Sequence, residues 1–412
     1  MIECRALSWW RAALVALACV VLVSACGSEP GIQIPSSGSD LPSDTGQPLA
    51  ADTSDSGPGS LVGATTLSTV DRRLAAVSST AARIRYRSTS GVDASSTTVS
   101  GTVFAPQGRP PQGGWPVIAF AHGSTGVQPE CGPSLSPSLV NAAPVVAALV
   151  TKGYAVVVSD YQGLGITTTY HPYLDATTVG YNLIDAVRAT RKLLPDSSTR
   201  WIAYGGSQGG QAAWAANELA GEYGQGLQLV GSVSLSPATA IGGLADKAAA
   251  GTLTFDQRGL YPWVLYGLQR SQRGFDLDTY RHGSATAQWD VLSSCDFTQA
   301  TKRTAAITAL TAADLRPTTP SATAALRDDL DRMSLPQRKA TAPMLVMYGG
   351  KDTLLDPEWT TDAIGRACDR GDVIQYALQP DADHGSVDGT AVVPFIRARF
   401  ADEPAANQCL RR

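Results

Sequence analysis

The sequence predicts an α/β domain with a mostly parallel central sheet, interrupted by a helical cap. Two observations carry this. From about residue 65, short apolar runs alternate with helical stretches. Between residues 238 and 338 that alternation stops, and the composition turns helical and aromatic. At 412 residues, 43% apolar and 17% charged, the chain can form one large domain with an insertion and bury a sizeable core.

Residues 82–88 and 97–106 read as antiparallel strands around a turn of Ser, Thr and Gly. Residues 116–121 (PVIAFA) and 154–160 (YAVVVSD) are short apolar runs, the pattern of strands covered on both faces. Helices are expected at 138–152, at 178–194, where Leu183, Val187 and Leu194 share a stripe, and at 208–222. Further strands are expected at 200–204, 229–235, 344–348 and 373–378. The insertion, 238–338, holds seven aromatic residues between Phe255 and Trp289 and is expected to cap a pocket that these aromatics line. A helical subdomain with its own core is a compatible reading. The core is then 65–237 together with 339–412.

The N-terminal region has a different character. Arg5 and Arg11 precede an apolar run of 12 residues, 12–23, too short to span a membrane and of signal-peptide length. Val23-Ser24-Ala25-Cys26 resembles a bacterial lipobox, which implies removal of residues 1–25 and lipidation of Cys26. Residues 26–64 are expected to form a flexible tether. Of residues 27–64, 26 of 38 are Gly, Ser, Pro, Thr or Asp, and none is Lys or Arg. The expected location is the cell envelope, anchored by lipid on the outer face of the cytoplasmic membrane, or secretion. A net charge of -4 argues against nucleic-acid binding, and the four His and seven Cys contain no CxxC and no HExxH. Beyond Cys26 remain Cys131, Cys295, Cys368 and Cys409. An even number in an exported chain predicts two disulfides, with three possible pairings.

The chemistry centres on Gly205-Gly206-Ser207-Gln208-Gly209, a G-x-S-x-G motif that occurs once, follows an expected strand and opens an expected helix. That is the setting of a nucleophile elbow, so Ser207 is the expected nucleophile. A hydroxyl needs a base, and the elbow orders its partners as Ser, then acid, then His. Only His282 and His384 lie downstream. His282 falls in the insertion, whereas His384 follows a strand in the polar loop 381–385 and is the expected base. Asp352 is the first carboxylate after strand 344–348 and is the expected acid, with Asp356 its nearest rival. Two N–H donors should face the oxyanion: that of Gln208, and that of Ser124 in the loop 121–126. His122 in that loop is expected to be structural.

These residues resemble the secretory lipase family of the α/β-hydrolase fold. The likeness runs from about Pro116 to the C-terminus. It covers Lys152-Gly153-Tyr154 through Ser159-Asp160-Tyr161-Gln162-Gly163, the elbow, and the Asp352 and His384 loops. The resemblance implies the pairs Cys131–Cys295 and Cys368–Cys409, stabilising by about 5 and 4 kcal/mol as upper estimates of loop entropy. It also implies a helical cap inserted before the acid strand. One departure is His122-Gly123-Ser124-Thr125-Gly126, which is closer to the loop of general esterases. Tyr161, His171 and Tyr173 are also family-like and are expected to serve packing. The expected function is a lipase or carboxylesterase acting on acyl esters such as acylglycerols, as a monomer, with no metal or organic cofactor. A cell-envelope acyltransferase, a serine peptidase and a non-catalytic lipid-binding lipoprotein are the alternatives.

Overall fold

A computed structural model of the chain describes Leu41 and residues 44–409. The expected signal peptide, 1–25, and Cys26 lie outside the described residues. The core opens with β1 (Leu61–Thr66), α1 (Arg72–Val77), β2 (Ser78–Thr89), β3 (Ser96–Pro106) and β4 (Trp115–Ala121). It continues through α2 (Ala143–Thr151), β5 (Ala155–Ser159), α3 (Ala176–Leu193), β6 (Ser197–Gly206), α4 (Gln208–Tyr223) and β7 (Gln228–Leu235). Six helices follow: α5 (Gly243–Ala250), α6 (Phe255–Ser271), α7 (Gly283–Ala287), α8 (Trp289–Ser293), α9 (Ala300–Ala309) and α10 (Pro320–Met333). The chain then returns to the core with β8 (Met344–Gly349), α11 (Pro357–Asp369), β9 (Ile374–Gln379) and α12 (Val392–Phe400).

The nine strands form one sheet in the order β1-β2-β3-β5-β4-β6-β7-β8-β9. β1, β2, β3 and β5 pair antiparallel, and every pair from β5 across to β9 is parallel. The fold is that of an α/β hydrolase. Strand side chains alternate between the two faces. In β4, Val117, Ala119 and Ala121 pack with α3 and α4, while Ile118 and Phe120 pack with α2 and α12. Both faces are therefore covered, which is why β4 and β5 read as unbroken apolar runs. After β4 the chain adds β5 on one side and then crosses back to place β6 on the other. The crevice between the C-terminal ends of β4 and β6 is thus a switch point, where open α/β sheets place their ligands.

Three expectations change. The tether expected over 26–64 ends earlier, because Leu61–Ala64 lie in β1 with Leu61 only 2% exposed. The preceding stretch is held by both kinds of contact: Leu49 and Ala51 pack against the core, and polar contacts fasten the backbone. Leu49 N–H donates to Ala64 O, and Lys192 binds Asp52 and Asp55 at 2.8 and 2.5 Å. Second, the helix expected from 138 begins at Ala143. Leu139, Val140 and Asn141 take φ of 51°, 49° and 70°, outside the right-handed helical region. Third, the aromatics of the insertion chiefly build a core of their own. Tyr261, Tyr266 and Tyr280 pack with Leu260, Leu265 and Leu330.

Candidate active site

β6 ends in a turn that places Ser207 at φ 57° and ψ −122°, a left-handed region that non-glycine residues seldom occupy. Neighbouring backbone holds it there. Ser207 N–H donates to Leu235 O at 2.8 Å, and Ala238 N–H donates to Ser207 O at 3.2 Å. The motif's outer glycines make the turn possible. A Cβ on Gly205 would come within 2.4 Å of Ala121 O, and one on Gly209 within 2.0 Å of the same oxygen. Those contacts press the end of β4 against the start of α4. Gln208 is the first residue of α4, and the first N–H groups of a helix have no partner within it. The loop after β4 passes close by: a Cβ on Gly123 would lie 3.8 Å from the Ser207 Cβ.

His384 and Asp352, 32 residues apart, meet at the far side of the crevice. His384 Nδ1 lies 2.7 Å from Asp352 Oδ2. Asp352 Oδ1 accepts the N–H groups of Leu354 and Leu355, both at 2.9 Å. The carboxylate is 2% exposed and the imidazole 24%, so the pair is shielded while the ring still reaches the cavity. Ser236 Oγ donates to His384 O at 3.1 Å and anchors the loop. Asp356, the rival acid, is engaged elsewhere. It accepts from Lys247 Nζ at 2.8 Å and from Gln257 Nε2 at 2.9 Å, which joins α5 and α6 to the loop before α11. His282 contacts the carbonyl of Arg316 at 2.9 Å, within the insertion.

Ser207, Ser124 and His384 line one cavity of about 720 Å³. Phe120, Val140, Val145, Tyr204, Leu235 and Val387 form an apolar wall from the core. Of the seven aromatics expected to line the pocket, only Trp263 does so. The cap adds Phe297, 69% exposed, together with Ser294, Asp296, Arg303 and Thr304.

Sequence reasoning gave Tyr161, His171 and Tyr173 to packing, and the structure adds contacts with the site. Tyr173 and Ser124 share a hydroxyl–hydroxyl hydrogen bond of 2.5 Å. Tyr161 Oη donates to His122 O at 2.9 Å and stacks on the His122 ring. His171 Nδ1–H donates to Gln162 O at 2.8 Å, which leaves Nε2 to accept from Gln208 Nε2–H at 3.0 Å. Burial pushes the His171 imidazole down to about 3, so it is neutral at pH 7. His122 is buried too, and desolvation lowers its proton affinity. The three residues thus brace both segments expected to donate to an oxyanion. The signal was their presence between β5 and α3, although no spacing rule ties them to Ser124 or Gln208.

Two disulfides frame the site and the C-terminus. Cys131–Cys295 joins the segment after β4 to the cap, and Cys368–Cys409 joins α11 to the chain end.

Solved structures share this architecture. Candida antarctica lipase A in its closed state superposes with a TM-score of 0.70 at 13% identity, over 88% of this chain and 87% of that one. A putative hydrolase from Legionella pneumophila gives 0.64 at 21% identity, over 83% and 96%. A mutant of the rice cell wall degrading esterase LipA from Xanthomonas oryzae gives 0.65 at 22% identity, over 85% and 100%. No curated protein matches the chain. The family model described as secretory lipase matches residues 137–408, more than half of the chain and including the elbow, the Asp352–His384 pair and the cap: the chain belongs to the secretory lipase family.

Proposed function

We propose that this ester hydrolase works through Ser207 as nucleophile, His384 as general base and Asp352 as the acid that orients the base. Ser207 Oγ attacks the ester carbonyl carbon while His384 takes its proton. The N–H groups of Gln208 and Ser124 stabilise the oxyanion. The same proton then passes to the departing alcohol, leaving an acyl-Ser207. Water, deprotonated by His384, attacks the acyl carbon and releases the acid. Asp352 accepts the Nδ1–H and stabilises the imidazolium as it forms.

The observation that carries this reading is the buried Asp352 Oδ2 at 2.7 Å from His384 Nδ1, on a ring that shares one cavity with a strained Ser207. Two backbone N–H groups fix the other carboxylate oxygen, so the acid has little freedom to turn away.

The apolar side chains on the core wall support a substrate with an acyl chain. The lipobox-like Val23-Ser24-Ala25-Cys26 supports a lipid-anchored enzyme at the cell envelope. Hydrolysis of p-nitrophenyl esters from C2 to C16 tests the substrate class. Turnover that Ser207→Ala abolishes is expected, and the chain length at its maximum reports the reach of the acyl pocket. No Ser207-dependent turnover at any length would overturn the proposal and bring the acyltransferase and peptidase readings forward.

A further inference from the structure

Among the described residues that line the cavity, Arg303 of α9 is the one Arg or Lys. Its guanidinium lies 4.4 Å over the Trp263 ring. Nε donates to Leu292 O at 3.1 Å and Nη2 to Gly259 O at 2.6 Å. These bonds fasten the guanidinium plane to α6 and α8. Among the described residues, Nη1 makes no hydrogen bond and no carboxylate pairs with the charge. Asp296, on the same wall, turns its oxygens to Thr298 and Gln299 instead.

The two carbonyls and the Trp263 ring offset part of the cost of burying this cation, no anion offsets the rest, and burial lowers the proton affinity of the guanidinium. Stapling the cap needs only the two donors already in use. The ring beneath and the two carbonyls fix the fork in place beside the cavity that Arg303 lines, and Nη1 is left as the donor not yet used. The walls differ in kind. The core side carries Phe120, Val145 and Leu235 beside its polar groups, while the cap side sets Arg303, Thr304 and Asp296 beside Trp263 and Phe297. An ester across Ser207 has two arms, and the apolar wall matches the acyl chain.

We propose that Arg303 is a specificity residue that receives an anionic group, carboxylate or phosphate, on the alcohol arm of the substrate. The preferred substrates are then acyl esters of acidic alcohols rather than of neutral ones. This rests on Ser207 being the nucleophile of an ester hydrolase.

The experiment compares 4-butyryloxybenzoate and 4-butyryloxyphenyl phosphate with the neutral 4-butyryloxybenzamide, in the wild-type chain and in Arg303→Met and Arg303→Lys. A charge-assisted hydrogen bond predicts a preference for one of the anionic esters of about 10- to 100-fold in kcat/KM, carried mainly by KM. Which anion is favoured identifies the source. Arg303→Met should erase the preference and leave the neutral ester within about threefold, and Arg303→Lys should restore part of it. Equal loss on all three esters would mark Arg303 as a cap staple and overturn the proposal. So would no preference in the wild type, or an Arg303-dependent preference seen only when the anion is on the acyl arm, as in phenyl hydrogen glutarate. Fluorophosphonate labelling of Ser207 is scored separately. An unlabelled Ser207 speaks against the hydrolase reading, whereas a labelled Ser207 with no anion preference speaks against Arg303 alone.

Discussion

Asp352 divides its two oxygens between different tasks: Oδ2 holds His384 Nδ1 at 2.7 Å, and Oδ1 takes the N–H groups of Leu354 and Leu355. Asp352→Asn keeps the shape but replaces an acceptor with an amide that can present a donor to Nδ1. The imidazole then favours the wrong tautomer. Turnover should fall by about 10³- to 10⁴-fold with KM little changed. Asp356→Asn, which alters only the contacts to Lys247 and Gln257, should keep turnover within about threefold. Steady-state kinetics on a p-nitrophenyl ester separates the two, and a larger loss in Asp356→Asn would reverse the assignment.

The elbow glycines are not equivalent. Gly209→Ala would drive a Cβ to 2.0 Å from Ala121 O, whereas at Gly206 the nearest atom is an ordinary 3.7 Å away. Overpacking against backbone predicts a loss of about 1–3 kcal/mol or more for Gly209→Ala, and near neutrality for Gly206→Ala. Urea denaturation of the two variants checks this. Equal midpoints would mean that the turn relaxes easily.

Tyr173 links the loop after β4 to the cap, since its hydroxyl meets Ser124 and its ring packs edge-on against Trp263, 6.1 Å between centroids. Tyr173→Phe removes one hydrogen bond and no packing, so stability should change by about 1 kcal/mol. If Ser124 donates to the oxyanion, kcat should drop about tenfold with KM unchanged. A kcat equal to wild type would leave Tyr173 a purely structural residue.

His171 makes stability depend on pH. Its folded-state pKa is lowered by burial to about 3 from an ordinary 6.5. The unfolded chain therefore binds a proton near pH 6 that the folded chain refuses. The stabilising contribution is complete above pH 6.5 and is lost as pH falls toward 3. Between pH 7 and 5 it should amount to about 2 kcal/mol. His171→Gln, which lacks a titrating ring, should show a correspondingly smaller fall over that interval in urea denaturation. Parallel curves for the two proteins would contradict the assignment.

Much of this architecture was legible because the physics is local. Apolar runs such as 116–121 mark strands covered on both faces, and the glycine pattern at 205–209 marks a turn that only small residues permit. That Asp352 and His384 meet followed from chain order along the sheet. β1 was not legible. The stretch up to it is rich in Ser, Thr, Gly and Asp; edge pairing to β2 and ion pairs from Asp52 and Asp55 to Lys192 bring the few apolar residues, Leu49, Leu61 and Ala64, onto the core, and composition records none of this. The aromatics of the insertion were visible, but their direction was not. A helical insertion of about a hundred residues must bury a core of its own, and Tyr261, Tyr266 and Tyr280 fill it. The bracing of Gln208 by His171 and of Ser124 by Tyr173 joins residues 37 and 49 positions apart through side chains, and no periodicity reports such contacts.

The central claim is that Ser207 forms the covalent intermediate. Treating the protein with a fluorophosphonate and locating the adduct by peptide mass spectrometry tests it most directly. A single adduct is expected on the peptide carrying Ser207, formed in step with loss of esterase activity and absent from Ser207→Ala. An adduct on another residue, or esterase activity that survives in Ser207→Ala, would contradict it.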